Sequence, residues 1–174
     1  GISKAAFEAS GGFGNIHPGE DPDLTIRLWK LGFKSGLIQE AYVFHKRRMS
    51  WSKFYKQVYK FGLVRAILNQ RYPEYKSVVY WFPATFVIGF LIALILATFN
   101  FYVLILGYVI YFIVSFCLAW IKERRFLIAF YAVIAIAIQF FGYGFGFLKA
   151  TWSIKVLNVN PEHTFPELFF KLKT

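Results

Sequence analysis

The sequence predicts a short α/β stretch, then an interfacial amphipathic helix, then an α-helical membrane domain of about three transmembrane helices. Three observations carry that expectation. Of 174 residues, 57% are hydrophobic and 22% aromatic, more than a soluble domain normally holds. The charges are segregated: residues 1–80 contain 13 Lys and Arg and 6 Asp and Glu, whereas residues 81–120 and 126–148 contain none. The net charge of +11 therefore sits beside apolar blocks, which points to a membrane surface and away from nucleic acid.

The first segment, residues 1–49, opens with good helix formers after a possible cap at Ser3. Gly11-Gly12-Phe13-Gly14-Asn15 then forces a turn. A phosphate cradle would need a strand before these glycines and a helix directly after them, and neither is evident. With no initiator Met and no signal-peptide pattern at Gly1-Ile2-Ser3-Lys4, the chain reads as the C-terminal piece of something longer. The lone Cys117 permits no internal disulfide and no cysteine metal site.

Glu20, Asp21 and Asp23 place three of the nine acidic residues within four positions. Pro22 suits the first helical position, which would make Asp21 the N-cap and put Asp23 in the first turn. Such acids complement the helix dipole. Like charges this close also repel, so one carboxyl pKa should rise, as suits a general base. Leu24, Leu28 and Leu31 give the helix an apolar face, and Gly32 ends it as its C′ residue. Ala41-Tyr42-Val43-Phe44 reads as a strand delivering His45, a metal ligand or a strand-end histidine.

Residues 50–76 hold a basic helix from Ser50 to Gln70. Trp51, Tyr55, Val58 and Gly62 share one stripe and Lys53, Lys56 and Lys60 another, the pattern of a helix lying in a membrane interface. Within residues 77–148, the runs 81–99, 101–120 and 126–148 are each long enough to cross about 30 Å of hydrocarbon. Asn100 breaks the first pair and Lys122-Glu123-Arg124-Arg125 the second. Basic residues of 46–76 and 122–125 belong on the cytoplasmic side, and three crossings would put the tail, 149–174, on the other; a third segment that fails to cross fully is the alternative. Gly142 and Gly146 form a small-xxx-small pair suited to close helix packing. No ionisable side chain lies in the proposed spans, which disfavours a transporter.

Taken in order, Gly11-Gly12-Phe13, Gly19-Glu20-Asp21-Pro22-Asp23-Leu24, Arg27-Leu28, Gly32-Phe33, the run ending at His45, a basic helix and apolar spans resemble the C-terminal half of a bacterial family-2 glycosyltransferase of the GT-A type with C-terminal transmembrane helices. The specific match covers about residues 5–65. The resemblance implies that residues 1–49 end an α/β GT-A domain and that Asp21, with Glu20 beside it, is the catalytic base taking the acceptor proton. It places Gly12 and Phe13 on the acceptor side, and His45 near a divalent metal, Mg or Mn, or the donor phosphates.

An inverting transfer needs one base on the acceptor face and positive charge opposite for the leaving diphosphate. Asp23, Arg47 and Arg48 join Gly12 and Phe13 as candidate substrate-binding residues, the arginines for phosphate oxygens. The implied partners are a nucleotide-sugar donor, a lipid-linked or glycan acceptor, the membrane, and an N-terminal half that would hold most of the metal site and without which these residues would be inactive. The implied location is multi-pass in the bacterial inner membrane with the catalytic part cytoplasmic. Processive members carry Gln-x-x-Arg-Trp on the interfacial helix; Gln57-Val58-Tyr59-Lys60-Phe61 here favours single transfer. A non-catalytic membrane anchor or assembly subunit is the alternative.

Overall fold

Ser50 caps a 21-residue helix, its Oγ accepting from the Lys53 amide, and Pro73 stops that helix just past Tyr72. This helix packs along the longest helix of the chain, Phe126–Lys155, on which the other two apolar helices also lie. The computed structural model describes residues 1–44 and 50–170. Its helices are α1 (Lys4–Ala9), α2 (Glu20–Lys30), α3 (Trp51–Arg71), α4 (Phe82–Thr98), α5 (Val103–Glu123), α6 (Phe126–Lys155) and α7 (Pro161–Thr164), with 3₁₀ turns at Pro73–Tyr75, Val78–Trp81 and Pro166–Leu168.

The α/β expectation fails. Among the described residues there is no strand, only an isolated antiparallel bridge between Ile16 and Phe169. Residues 41–44 are irregular, with Val43 89% and Phe44 95% exposed. Their β-branched and aromatic composition favours a half-buried pleated surface, but no neighbouring edge supplies ladder hydrogen bonds or a face to bury against. What the sequence presents as the end of an α/β GT-A domain is therefore a helical head. His45, which was to end that strand, lies outside the described residues with Arg47 and Arg48.

The apolar stripe of α3, expected to face lipid, packs on α6. Val58 and Gly62 are buried, Trp51 lies against Tyr131 at 5.7 Å between ring centroids, and the two helices run in the same direction. Gly62 sits so close to α6 that an added Cβ would strike the Tyr143 carbonyl and lie 2.8 Å from the Phe147 amide. From the other side, a Cβ on Gly146 would strike the Tyr59 carbonyl, and one on Gly142 would press on Val58 at 3.3 Å. The small-xxx-small pair thus packs as expected, with α3 as its partner. Gly144 between them admits α4, whose Pro83 carbonyl would be 2.5 Å from its Cβ.

Among the described residues, three helices are long and apolar enough to cross a membrane: Val78–Thr98, Val103–Glu123 and Phe126–Lys155. Exposed Leu106, Val109, Ile110 and Ile113 on α5 make an apolar surface of the kind that lipid covers. Asn100 and Arg124, at φ 62° and 54°, turn the chain between spans. The third span outruns its expected end at 148 because Ala150, Ser153 and Ile154 are buried and join a core with Ile16, Ile67 and Phe165.

That core reverses one topological expectation. The His17 amide donates to the Leu168 carbonyl at 2.7 Å and the Phe170 amide to the Asn15 carbonyl at 2.7 Å, while Phe165 and Leu168 are buried beside Ile16. Head and tail therefore share one side of any bilayer, and the number of complete crossings between them is even. Three crossings by α4, α5 and α6 alone would separate them.

Two outcomes follow from this packing. Gly146→Val should cost about 1–3 kcal/mol by overpacking the α3–α6 seam, whereas Gly107→Ala, which meets open space, should leave thermal unfolding in detergent unchanged or slightly raised. In a Cys117→Ser background, cysteines at exposed Glu8 and His163 should react with an impermeant thiol reagent from the same membrane face; reaction from opposite faces would contradict the head–tail contact.

Candidate active site

Three neighbouring carboxylates meet three different environments. The helix that carries them starts earlier than its proline suggests: Gly19 is the N-cap of α2 and Glu20 its first residue, so Asp21 is the second helical residue and caps nothing. At the other end the expectation holds. Gly32 is the C′ residue at φ 83°, with its amide donating to the Trp29 carbonyl and the Phe33 amide to the Leu28 carbonyl at 3.0 and 3.1 Å, a Schellman pattern.

Glu20 folds back on the turn before it. Its Oε2 accepts from the Gly19 amide at 2.8 Å and its Oε1 lies 2.9 Å from His17 Nδ1. Burial pushes this carboxyl up, but hydrogen bonds from the Gly19 and Glu20 amides and from His17, with the His17 charge, outweigh it and hold the pKa below the ordinary glutamate value. The raised carboxyl expected from like-charge crowding is thus not Glu20.

Asp23 is 2% exposed and fully engaged. Arg27 donates to its Oδ2 through Nε at 3.0 Å and Nη2 at 2.9 Å, the Tyr72 hydroxyl donates to Oδ1 at 2.8 Å, and Arg71 Nη1 stands 3.7 Å from the same oxygen. Burial and that hydrogen bond raise the Tyr72 pKa above its usual value. Arg27 continues outward, donating to the carbonyls of Ser10 and Gly12. Gly11 and Gly12 hold φ of 74° and 69°, which glycine adopts without strain. The glycine loop is therefore tied to α2 through Arg27. This places Asp23 in the support of the loop, with both oxygens occupied.

Asp21 is the free member. Its carboxylate is exposed, its backbone carbonyl accepts from Thr25 Oγ1 at 2.8 Å, and it lines two clefts. One, of about 390 Å³, is also lined by Phe13, Leu28, Phe33 and Lys34. The other, of about 560 Å³, lies between the head and the long helices and is lined by Glu20, Gln57, Phe61, Arg65, Tyr80 and Tyr143. The structure thus brings Asp21 and Glu20 together in one cleft and Asp21 and Phe13 in the other; Gly12 is held behind Phe13 by Arg27.

Arg65, Gln57 and Tyr80 were not foreseen. Arg65 lies over the Tyr80 ring at 4.0 Å. The available signal was the spacing of Gln57, Phe61 and Arg65, one helical turn apart on one face of α3, masked by the more obvious lysine stripe. Among the described residues no group of three or more His, Cys, Asp or Glu side chains gathers to hold a metal ion; His45, expected near the metal, lies outside them.

Asp23→Asn is expected to destabilise the fold by about 3 kcal/mol, since it leaves Arg27 and Arg71 facing a neutral amide; some water at Arg27 keeps the loss at the low end for a broken buried pair. Asp21→Asn should stay within about 0.5 kcal/mol of the parent. Equal unfolding midpoints for the two variants would refute the division of labour between these carboxylates.

The sequence matches, over residues 1–143, the family model described as glycosyl transferase family group 2. Among curated proteins and among solved structures, nothing matches. A match over most of the chain, together with three helices long and apolar enough to span a membrane, makes this a membrane glycosyltransferase chain, and it belongs to glycosyl transferase family group 2.

Proposed function

We propose that Asp21 is the general base of an inverting sugar transfer from a nucleotide-sugar donor to a hydroxyl of a lipid-linked or glycan acceptor. The observation that carries this reading is the position of its carboxylate. It alone of the three acids is exposed at the meeting of two clefts with neither oxygen engaged in a hydrogen bond among the described residues. A base must reach the proton it takes, and Glu20 and Asp23 are already occupied.

In this reading the acceptor hydroxyl enters the larger cleft, between the head, α3 and α6. Its oxygen attacks the anomeric carbon, its proton passes to the Asp21 carboxylate, and the bond to the diphosphate breaks with the electron pair leaving on the phosphate oxygen. Glu20 anchors the turn before α2 through His17 and the Gly19 amide, which fixes the direction of Asp21. Phe13 lines the smaller cleft, and Gly12, whose carbonyl is held by Arg27, supports it from the adjoining turn. Arg65, against Tyr80 in the larger cleft, and Arg47 and Arg48 supply positive charge for anionic parts of the substrates. Nine Lys and Arg against one Glu in residues 46–76 favour a cytoplasmic head in a bacterial inner membrane.

Asp21→Asn keeps size and polarity but removes the proton acceptor. Transfer measured with the enzyme in native membranes should fall about 10²–10⁴-fold, with an unchanged unfolding midpoint and unchanged nucleotide-sugar affinity. Turnover near the parent rate would remove Asp21 as the base.

A further inference from the structure

We propose that a third cleft, at the C-terminal ends of α3 and α6 and separate from the two carboxylate clefts, binds the phosphate of an anionic membrane lipid. It measures about 470 Å³ and opens between α3, α6 and the turn that leads into the first apolar span. Its polar wall comprises Asn69, Gln70, Lys76, Lys155 and Asn158, over a floor that includes Trp81 and Phe147.

Charge selects the ligand class. Two lysines and three amides line the cleft, and no Asp or Glu does. Neither lysine forms an ion pair among the described residues, whereas Lys30, also near the end of α3, is paired with Glu74. Lys155 lies in the last turn of α6 and so complements that helix dipole, but Lys76 stands outside any helix and has no such role. Both lysines line one concavity with no carboxylate beside them among the described residues, so an anion bound there meets two positive charges.

Asn69 is the second, independent observation. It is 9% exposed, and no hydrogen bond joins its side-chain amide to another described group. A buried amide normally finds a partner; here its residual exposure opens on the cleft, where it offers donors to a phosphate oxygen.

Location selects the source of the phosphate. Val78 begins the first candidate span, and Trp81, with Lys155 Nζ 5.8 Å from its ring centroid, marks the depth at which tryptophan meets headgroups. Lys76 lies two residues before that span. A lipid whose tails lie along the exposed apolar face of α4 presents its phosphate at this level.

Binding of phosphatidylglycerol, phosphatidylcholine and inorganic phosphate to the full chain, purified in a neutral detergent, decides the matter. Phosphatidylglycerol should bind and phosphatidylcholine should bind far more weakly. Lys76→Gln with Lys155→Gln should weaken phosphatidylglycerol about thirtyfold, as expected for two cations near an anionic surface, while Lys76→Arg with Lys155→Arg restores it at the same unfolding midpoint. Asn69→Leu, close in volume, should weaken binding severalfold with both lysines present. Equal binding by the Gln double variant, or no preference over phosphatidylcholine, would overturn the site. Inorganic phosphate that displaces the lipid at low millimolar concentration would overturn the lipid as occupant and assign the cleft to a free anion.

Discussion

The seam between α3 and α6 is the constraint on which the rest of the molecule depends. Gly62 faces α6 and Gly142 and Gly146 face α3, and side chains at these positions would run into backbone or packed side chains of the opposite helix. In lipid, close approach of small residues supplies the packing that the hydrophobic effect does not. Here the same device joins a helix with a lysine-bearing outer face to an apolar one, and so fixes the head against the membrane domain. Both walls of the carboxylate cleft follow from it: Gln57 and Arg65 come from α3, Tyr143 from α6.

Within the head, the sequence Glu-Asp-Pro-Asp distributes three like charges by the angle each position makes on α2. Asp23 points inward and meets Arg27 one turn on, so its charge is neutralised where it is buried. Glu20 points back and meets amides of the turn. Asp21, between them, is left to solvent. Repulsion among the three is thereby relieved by different partners, and the hydrogen bond from Tyr72, 49 residues away, ties α2 to the end of α3. The Asp23–Arg27 pair does double service, since the same guanidinium holds the Gly12 carbonyl and with it the loop bearing Phe13.

What was legible in the sequence is what local physics decides. The three apolar helices, the Schellman end of α2 at Gly32, the glycine turn and the small-xxx-small pair all follow from residues within a few positions of one another. The strand at 41–44 failed because a strand is half of a pair, and composition does not reveal an absent partner. The start of α2 slipped because Pro22 is tolerated throughout the first turn, not only at its first position. The burial of Asp23 and the return of the tail to Ile16 depend on contacts far apart in sequence, and no periodicity encodes them. Arg65 is not legible because its helix carries two overlapping patterns, a lysine stripe and the Gln57–Phe61–Arg65 face, and spacing alone does not say which one lines a cleft.

A single helix thus presents three distinct surfaces: glycine and valine to α6, glutamine, phenylalanine and arginine to the carboxylate cleft, and near its end the amides of Asn69 and Gln70 to the basic cleft. Coupling between the two clefts would require α3 to have two discrete positions that the ligands favour unequally. The seam opposes this, because sliding α3 along its axis would carry Gly62 off the Tyr143 carbonyl and bring residues of the same face with side chains, Val58 or Ala66, toward it. Close packing of this kind transmits position without yielding. A lipid in the basic cleft therefore acts as an anchor, holding the end of α3 and the start of α4 at headgroup depth, and the carboxylate cleft inherits its height above the membrane from that anchor.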